Sequence, residues 1–440
     1  MIKRIGEGTA VTSVRMADAR YPAPFASGLE YAAPARGTWN IVHVGMLIPE
    51  AHQIFVCAQG CLRGVVLTAA EMGESERFST IAVRENNLLN GDMEWLIIDG
   101  VTDILEKLEK LPPAVLVYTS CVHHFMACDL DMVYRSLRER FPTVRFTDCY
   151  MNPIMRKSGL TPDQLMRSRL YSFLEPLPKR KDVVSILGND FSLESTNELY
   201  TWLAEEKIEL REIQHCKSFE EYLKLAESSL YITTYPSAVA GAKELANRLG
   251  AKHIHIPVSF DYDEIEQGYS KLGELLGISA PDCTEYRERC EKTLGILKEK
   301  FGDTPIVIDY TAFSRPLSLA KLLLKHGFCV TSVFADTFTG EEQKDFEELK
   351  ALAPELVIYP TVNHNMRVAE RKTDEKTVAI GQKAAYFCGT DHFVNIVENG
   401  GFLGFDGILR LCALLNDAYD NHKDAKALIQ IKGMGCGCCQ

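Results

Sequence analysis

The sequence predicts an α/β fold: three Rossmann-like units, each a parallel sheet flanked by helices, disposed around a central cleft. Three observations carry this. Short apolar runs of strand length alternate with amphipathic stretches of helical period, the pattern of βαβ units. The chain has 440 residues, more than one hydrophobic core organises, since such cores stop growing at about 250–300 residues. Punctuation recurs at element ends, where Pro and Gly stop helices and small or polar residues follow strands.

The elements follow in order. Residues 1–37 are rich in Ala, Pro and Gly without periodicity and read as an irregular arm that wraps a neighbour. The first domain, 38–180, opens with the apolar run Asn40-Ile-Val-His-Val-Gly-Met-Leu-Ile48 and then His52-Gln-Ile-Phe-Val-Cys57. Leu62 to Met72 has helical composition and Ile81-Ala-Val83 is a strand. Trp95-Leu-Ile-Ile-Asp-Gly precedes a helix from Thr102 to Leu111, stopped by Pro112-Pro113. Ala114 to Tyr118 is a strand, Leu130 to Arg140 a helix, and Val144-Arg-Phe-Thr a further strand.

The second domain, 181–300, begins with the strand Asp182 to Gly188. A helix from Glu194, a strand near Glu209, a helix from Phe219, and the strand Leu230-Tyr-Ile-Thr-Thr234 come next. Ala238 to Leu249 is a helix ending at Gly250, and His253-Ile-His-Ile-Pro257 is a short strand. The third domain, 301–432, runs from Pro305-Ile-Val-Ile-Asp309 through a helix from Pro316 to His326 and the strand Phe328 to Phe334. Leu356-Val-Ile-Tyr359 leads to the loop Pro360-Thr-Val-Asn-His-Asn365. Gly400 to Gly407 opens the helix Ile408 to Tyr419. A Cys-rich tail, 433–440, closes the sequence with Cys436, Cys438 and Cys439.

The candidate chemistry lies at two strand ends. Phe55-Val-Cys-Ala-Gln-Gly-Cys61 and Tyr118-Thr-Ser-Cys121-Val-His-His-Phe-Met-Ala-Cys128-Asp129 each carry an apolar run to a thiol, then into a helix. Loops at the carboxyl ends of strands are where α/β folds hold ligands. Cys57, Cys61, Cys121 and Cys128 are therefore expected to give thiolates to an iron-sulfur cluster, which needs soft ligands and accepts them from distant segments. Unpaired cysteines also serve as small buried hydrophobes, and structural zinc stays open as an alternative. His123 and His124 follow Cys121 closely enough to be proton donors beside the cluster, or a packing pair. His364, in the loop after a strand, is a candidate for the cleft. The tail thiols Cys436, Cys438 and Cys439 are candidate metal ligands.

Composition narrows the function classes. Fourteen cysteines with no apolar leader point to a reducing, cytoplasmic setting, where thiols serve metals, packing or redox chemistry rather than disulfides. A net charge of −12 gives no electrostatic reason to expect nucleic acid. No apolar stretch is long enough to cross a membrane. No Gly-x-x-x-x-Gly-Lys-Ser/Thr loop and no strand-linked Gly-x-Gly-x-x-Gly occurs, so neither ATP nor NAD is expected on this chain.

The layout resembles the nitrogenase component 1 superfamily, which also contains a cofactor-assembly scaffold and dark-operative chlorophyll-type reductases. Phe55 to Cys61 resembles the family's strand and Gly-Cys cluster loop, and Tyr118 to Leu130 its later Thr-Cys segment. Asp182 to Gly188, Leu249 to Pro257 and Gly404-Phe-Asp-Gly-Ile-Leu-Arg-Leu411 resemble later family segments. The resemblance implies the catalytic component of a two-component oxidoreductase, with a 4Fe-4S or larger cluster at a subunit interface for electron transfer. It implies as partners a separate P-loop iron-sulfur reductase that handles ATP, a homodimer mate or paralogous subunit, and a small-molecule substrate. A non-catalytic scaffold for metallocofactor assembly and a zinc-stabilised binding protein are the alternatives. Two departures stand out. The family's earlier cysteine is absent from Ala33-Pro-Ala-Arg-Gly37, which leaves its place to Cys57 or Cys128. The segment matching the cofactor cysteine is Thr234-Tyr-Pro-Ser237, without a thiol, and His392 is not clearly in register with the cofactor histidine. No nitrogenase-type molybdenum cofactor is therefore expected.

Overall fold

A computed structural model describes residues 12–31, 33, 41–151, 159–371, 375–425 and 427–428. They form three sheets, parallel except for one added strand, within two compact units. The described residues of 39–192 and 207–255 make one unit; those of 1–38, 193–206 and 256–440 make the other.

The arm contributes β1 (Val14–Arg15), which pairs antiparallel with a later strand of its own unit. Its described residues thus pack on this chain. In the first unit, α1 (Ile41–Met46) is followed by β2 (His52–Ala58), α2 (Gln59–Glu71), β3 (Phe78–Val83), α3 (Glu85–Asn90) and α4 (Met93–Lys107). Then come β4 (Ala114–Ser120), α5 (Cys121–Phe125), α6 (Leu130–Arg140), β5 (Arg145–Met151) and α7 (Pro162–Arg169). The four strands stand in the order β3-β2-β4-β5, all parallel. Ile54 and Val56 face one core with Ile97, Val101 and Leu137, whereas Phe55 and Cys57 face the other. This is the period of two that a sheet covered on both sides requires.

The second sheet of this unit has the order β7-β6-β8-β9, built from β6 (Arg180–Leu187), β7 (Glu209–Glu212), β8 (Ser228–Thr233) and β9 (Lys252–His255). Helix α8 (Glu198–Glu205) lies in the other unit, while α9 (Phe219–Leu223) and α10 (Val239–Leu249) stay with this one. The apolar face of β2 and β4 continues through Met166, Tyr171 and Tyr222 to Tyr231 and Leu245, so the two sheets share one core.

The other unit holds α11 (Tyr262–Leu276), α12 (Thr284–Phe301), β10 (Ile306–Asp309), α13 (Pro316–Lys325), β11 (Val330–Phe334), α14 (Gln343–Leu352) and β12 (Val357–Tyr359). It ends with β13 (Val378–Ile380), α15 (Gln382–Cys388), β14 (Phe393–Val394) and α16 (Gly404–Asp420). Its sheet runs β1-β12-β11-β10-β13-β14.

Two local expectations are corrected. The run from Asn40 is no strand in its described part: residues 41–46 form α1, held end-on when Gln53 Nε2 donates to the Val42 carbonyl (2.9 Å) and Tyr118 Oη to that of Ile41 (3.2 Å). Trp95 to Gly100 does not precede a helix but belongs to α4, which buries Met93, Ile97, Val101 and Leu105 at a helical spacing of four. Gly100 does not break it. The glycine lets α4 close on Ile81, whose Cδ1 would lie 2.7 Å from an added Cβ. The tail 433–440 lies outside the described residues.

Candidate functional site

The parallel pairing of β2 with β4 brings the two cysteine loops together. The ladder runs from His52 opposite Val115 to Val56 opposite Thr119, so both strands end on the same side of the sheet. One step beyond this ladder Cys57 is buried, and Cys121 opens α5 directly after β4. Cys61 sits in the first turn of α2, exposed. Gly60 and Gly64 flank it with open space where a side chain would stand.

Electrostatics ties three of the four thiols together. Burial pushes the Cys57 thiol up to about 12, and the neighbouring Cys61 and Cys121 push it in the same direction. A thiol so placed keeps its proton unless a metal cation compensates the charge, which inverts the local balance. The N-terminus of α2 adds unsatisfied amides, because Ala58 precedes it without a side-chain cap. Such amides and the positive end of a 13-residue helix favour thiolate or sulfide beside Cys61. Soft ligands from two loops, amide donors and an open glycine-flanked approach fit an iron-sulfur cluster.

The fourth thiol stands apart. Cys128 packs with Val122 and Leu130 against the core on the opposite face of the sheet. Burial raises its pKa and Glu94 raises it further, with no contribution from the other cysteines. Glu94 also accepts the Asp129 N–H (2.9 Å), while Asp129 caps α6 through Met132 N–H (2.9 Å). Among the described residues no three His, Cys, Asp or Glu side chains gather to hold a single metal ion.

The histidines separate as well. His123 is buried, and its Nδ1 accepts the Ser120 N–H (3.1 Å), which places the proton of the neutral ring on Nε2. That Nε2–H has no hydrogen-bond partner among the described residues, and burial lowers the ring's pKa. His124 is exposed next to Phe125 and Met126, and His364 is exposed on a short turn after β12. His392 is engaged structurally: its Nδ1 meets the Ala418 carbonyl at 2.8 Å and its ring lies 4.1 Å from that of His422. Cys436, Cys438 and Cys439 lie outside the described residues.

A second polar centre was not expected. At the carboxyl end of the third sheet, buried Lys383 donates to Tyr310 Oη (2.9 Å) and Thr361 Oγ1 (3.1 Å). Beside it the buried Asp309 accepts N–H groups of Thr311 and Ala384, both at 2.7 Å, while desolvation raises its pKa. The charge of Lys383 acts on the Asp309 carboxylate and partly offsets the effect of its burial. The signal was a lysine two residues after a strand-end glycine, in the first turn of a helix whose following residues are apolar.

Several large apolar side chains are exposed: Phe125 is 67% exposed, Met126 44%, Trp95 55% and Leu89 83%. Isolated exposed hydrophobes are ordinary, but Phe125 closes α5, the short helix that Cys121 opens, and Met126 follows it; Leu89 stands on α3 and Trp95 on α4.

A family model described as nitrogenase component 1 type oxidoreductase matches residues 42–417, most of the chain. Among solved structures, one titled "Nitrogenase Cp1 at pH 6.5" is similar with a TM-score of 0.67 at 13% identity, covering 90% of this chain and 94% of that one. A second, "Nitrogenase Cp1 at pH 5", gives 0.54 at 12% identity over 88% and 90%. At such identities the likeness concerns the fold. No curated protein matches the sequence.

Proposed function

The chain belongs to the nitrogenase component 1 type oxidoreductases, and from that we propose that it is the electron-accepting, catalytic component of a two-component reductase system. Cys57, Cys61 and Cys121 would hold an iron-sulfur cluster, with the remaining ligands supplied by a second subunit. Such a cluster, when bound, supplies one-electron transfer at a potential set by its surroundings. The residues of this chain do the rest. Cys57 brings a buried sulfur, Cys61 and Cys121 bring sulfurs within reach of a partner, and the first turn of α2 offers amide donors. Cys128 is left out of the ligand set, because it packs on the opposite face with Glu94.

The observation that carries the reading is that parallel strands β2 and β4 end side by side, with Cys57 at the end of β2, Cys61 in the first turn of α2 and Cys121 at the start of α5. Family membership supports a P-loop reductase as electron donor and a small-molecule substrate. The exposed Phe125 and Met126, which closely follow Cys121, support a subunit partner there. Iron and sulfide analysis of anaerobically purified protein, with electron paramagnetic resonance after dithionite reduction, tests the proposal. Wild type is expected to contain stoichiometric cluster, and Cys61→Ala and Cys121→Ala each to lose most of the iron and the signal. Zinc in place of iron and sulfide would defeat it. Turnover that requires the reductase and ATP separates catalysis from a scaffold role.

A further inference from the structure

The second sheet carries another set of metal-ligating side chains, remote in sequence from the cysteine loops. In β9, His253 and His255 are two residues apart and therefore share one face of the strand. The parallel ladder sets His255 directly opposite Thr233 and His253 opposite Tyr231. Both imidazoles turn to the same atom: His253 Nε2 lies 2.9 Å from Thr233 Oγ1, and His255 Nδ1 lies 2.9 Å from it. A hydroxyl has one proton, so it donates to one ring and accepts from the other, or accepts from both. Two nitrogens and one oxygen thus converge on one point.

We propose that His253, His255 and Thr233 form a binding site for a divalent transition-metal ion, with two imidazole nitrogens as the protein anchors and the hydroxyl and water completing the shell. A first argument is the position: β9 is the end strand of its sheet and both rings are half-buried, while Thr233 is fully buried.

A second argument is selectivity. No carboxylate is among the three converging groups. Hard ions such as magnesium and calcium need oxygen-rich, negative cages and gain little here. Imidazole suits zinc, nickel, cobalt and copper. The hydroxyl stands in the place the ion would approach, so binding exchanges the hydrogen bonds of Thr233 for coordination bonds of about 2.0–2.1 Å to nitrogen. Small ring rotations accomplish this at an edge strand.

The site does not depend on the cluster reading, and the test keeps the two apart. Full-length protein is titrated anaerobically with cobalt(II) chloride, and bound metal and absorption spectrum are recorded together. The expected result is one equivalent bound without the thiolate-to-cobalt charge-transfer band that cysteine ligation produces. This class of binding is expected to weaken by more than about 10-fold in His255→Ala and in His253→Gln, and to persist in Cys61→Ala. Far-UV circular dichroism and the melting temperature establish that the variants are folded. Should His253→Gln misfold, His255→Ala, at the last residue of the strand, decides alone. The same nitrogen-type uptake in wild type and His255→Ala, or uptake only with the thiolate band, would overturn the proposal.

Discussion

At the scale of single residues, burial sets protonation, and protonation sets how stability depends on pH. His52 is 4% exposed, bonds to Ser79 Oγ at 2.8 Å, and is held at about 4 by burial and by the charge of Arg77. In the unfolded chain the ring titrates near its ordinary 6.5. Below that value the unfolded state takes up a proton that the native state refuses. Stability is therefore complete above pH 6.5 and declines as the pH falls towards 4, by about 2–3 kcal/mol for one such group. His52→Gln keeps a hydrogen bond available to Ser79 and removes the titration. Urea unfolding of wild type at pH 7 and pH 5 is expected to show a drop that is smaller in the variant; equal slopes would show that His52 does not carry it. The Cys57 thiol obeys the same rule with the opposite charge. Burial leaves Cys57 protonated near 12, so the free site resists losing protons and a metal must displace them.

At the scale of elements, strands and their ends were legible in the sequence and some connections were not. The runs at His52, Ala114, Asp182, Leu230 and Pro305 all appear as strands, because apolar β-branched runs between polar breaks have few other uses. The Asn40 run failed because its apolar residues are buried on nearly every side of a short helix, which erases the period that separates helix from strand. Residues 262–301 drew no reading, yet they form two long helices whose apolar positions are diluted by charge. The two cysteine loops were found from sequence, but the packing of Cys128 on the opposite face was not, since which face of β4 a following turn packs against is a tertiary property. His253 and His255 were visible as a strand; their convergence on Thr233 required the ladder register. The loop from β13 into α15 shows how an element junction holds a site. Gly381 has φ of +105°, and an added Cβ would collide with the carboxylate of Asp309. Its replacement by alanine is expected to cost about 2–4 kcal/mol, from backbone strain together with displacement of Asp309 from the Ala384 N–H. Chemical denaturation of Gly381→Ala against wild type measures this. A change below about 0.5 kcal/mol, typical of surface sites, would mean the junction yields freely.

At the scale of the whole molecule, the proposed ligand set would make assembly and cofactor binding one equilibrium. Three thiols alone would leave an iron-sulfur cluster short of ligands, since each iron ordinarily takes cysteine thiolate or an equivalent donor. If a second subunit completes the set, metal bound across the interface favours the associated state over the dissociated one, by mass action. The apolar side chains of Leu89, Trp95, Phe125 and Met126 would be covered in that state and exposed without it. Sedimentation velocity of anaerobic protein is then expected to show an oligomer with iron present. After iron is removed by a chelator under reducing conditions, the apparent dissociation constant should rise by at least about 10-fold, equivalent to about 1.4 kcal/mol. Phe125→Asp should weaken association in both states, because a carboxylate buried against an apolar partner loses its hydration. An oligomer unchanged by both treatments would place the partner's contact elsewhere and leave the cluster, if present, to ligands of a single chain.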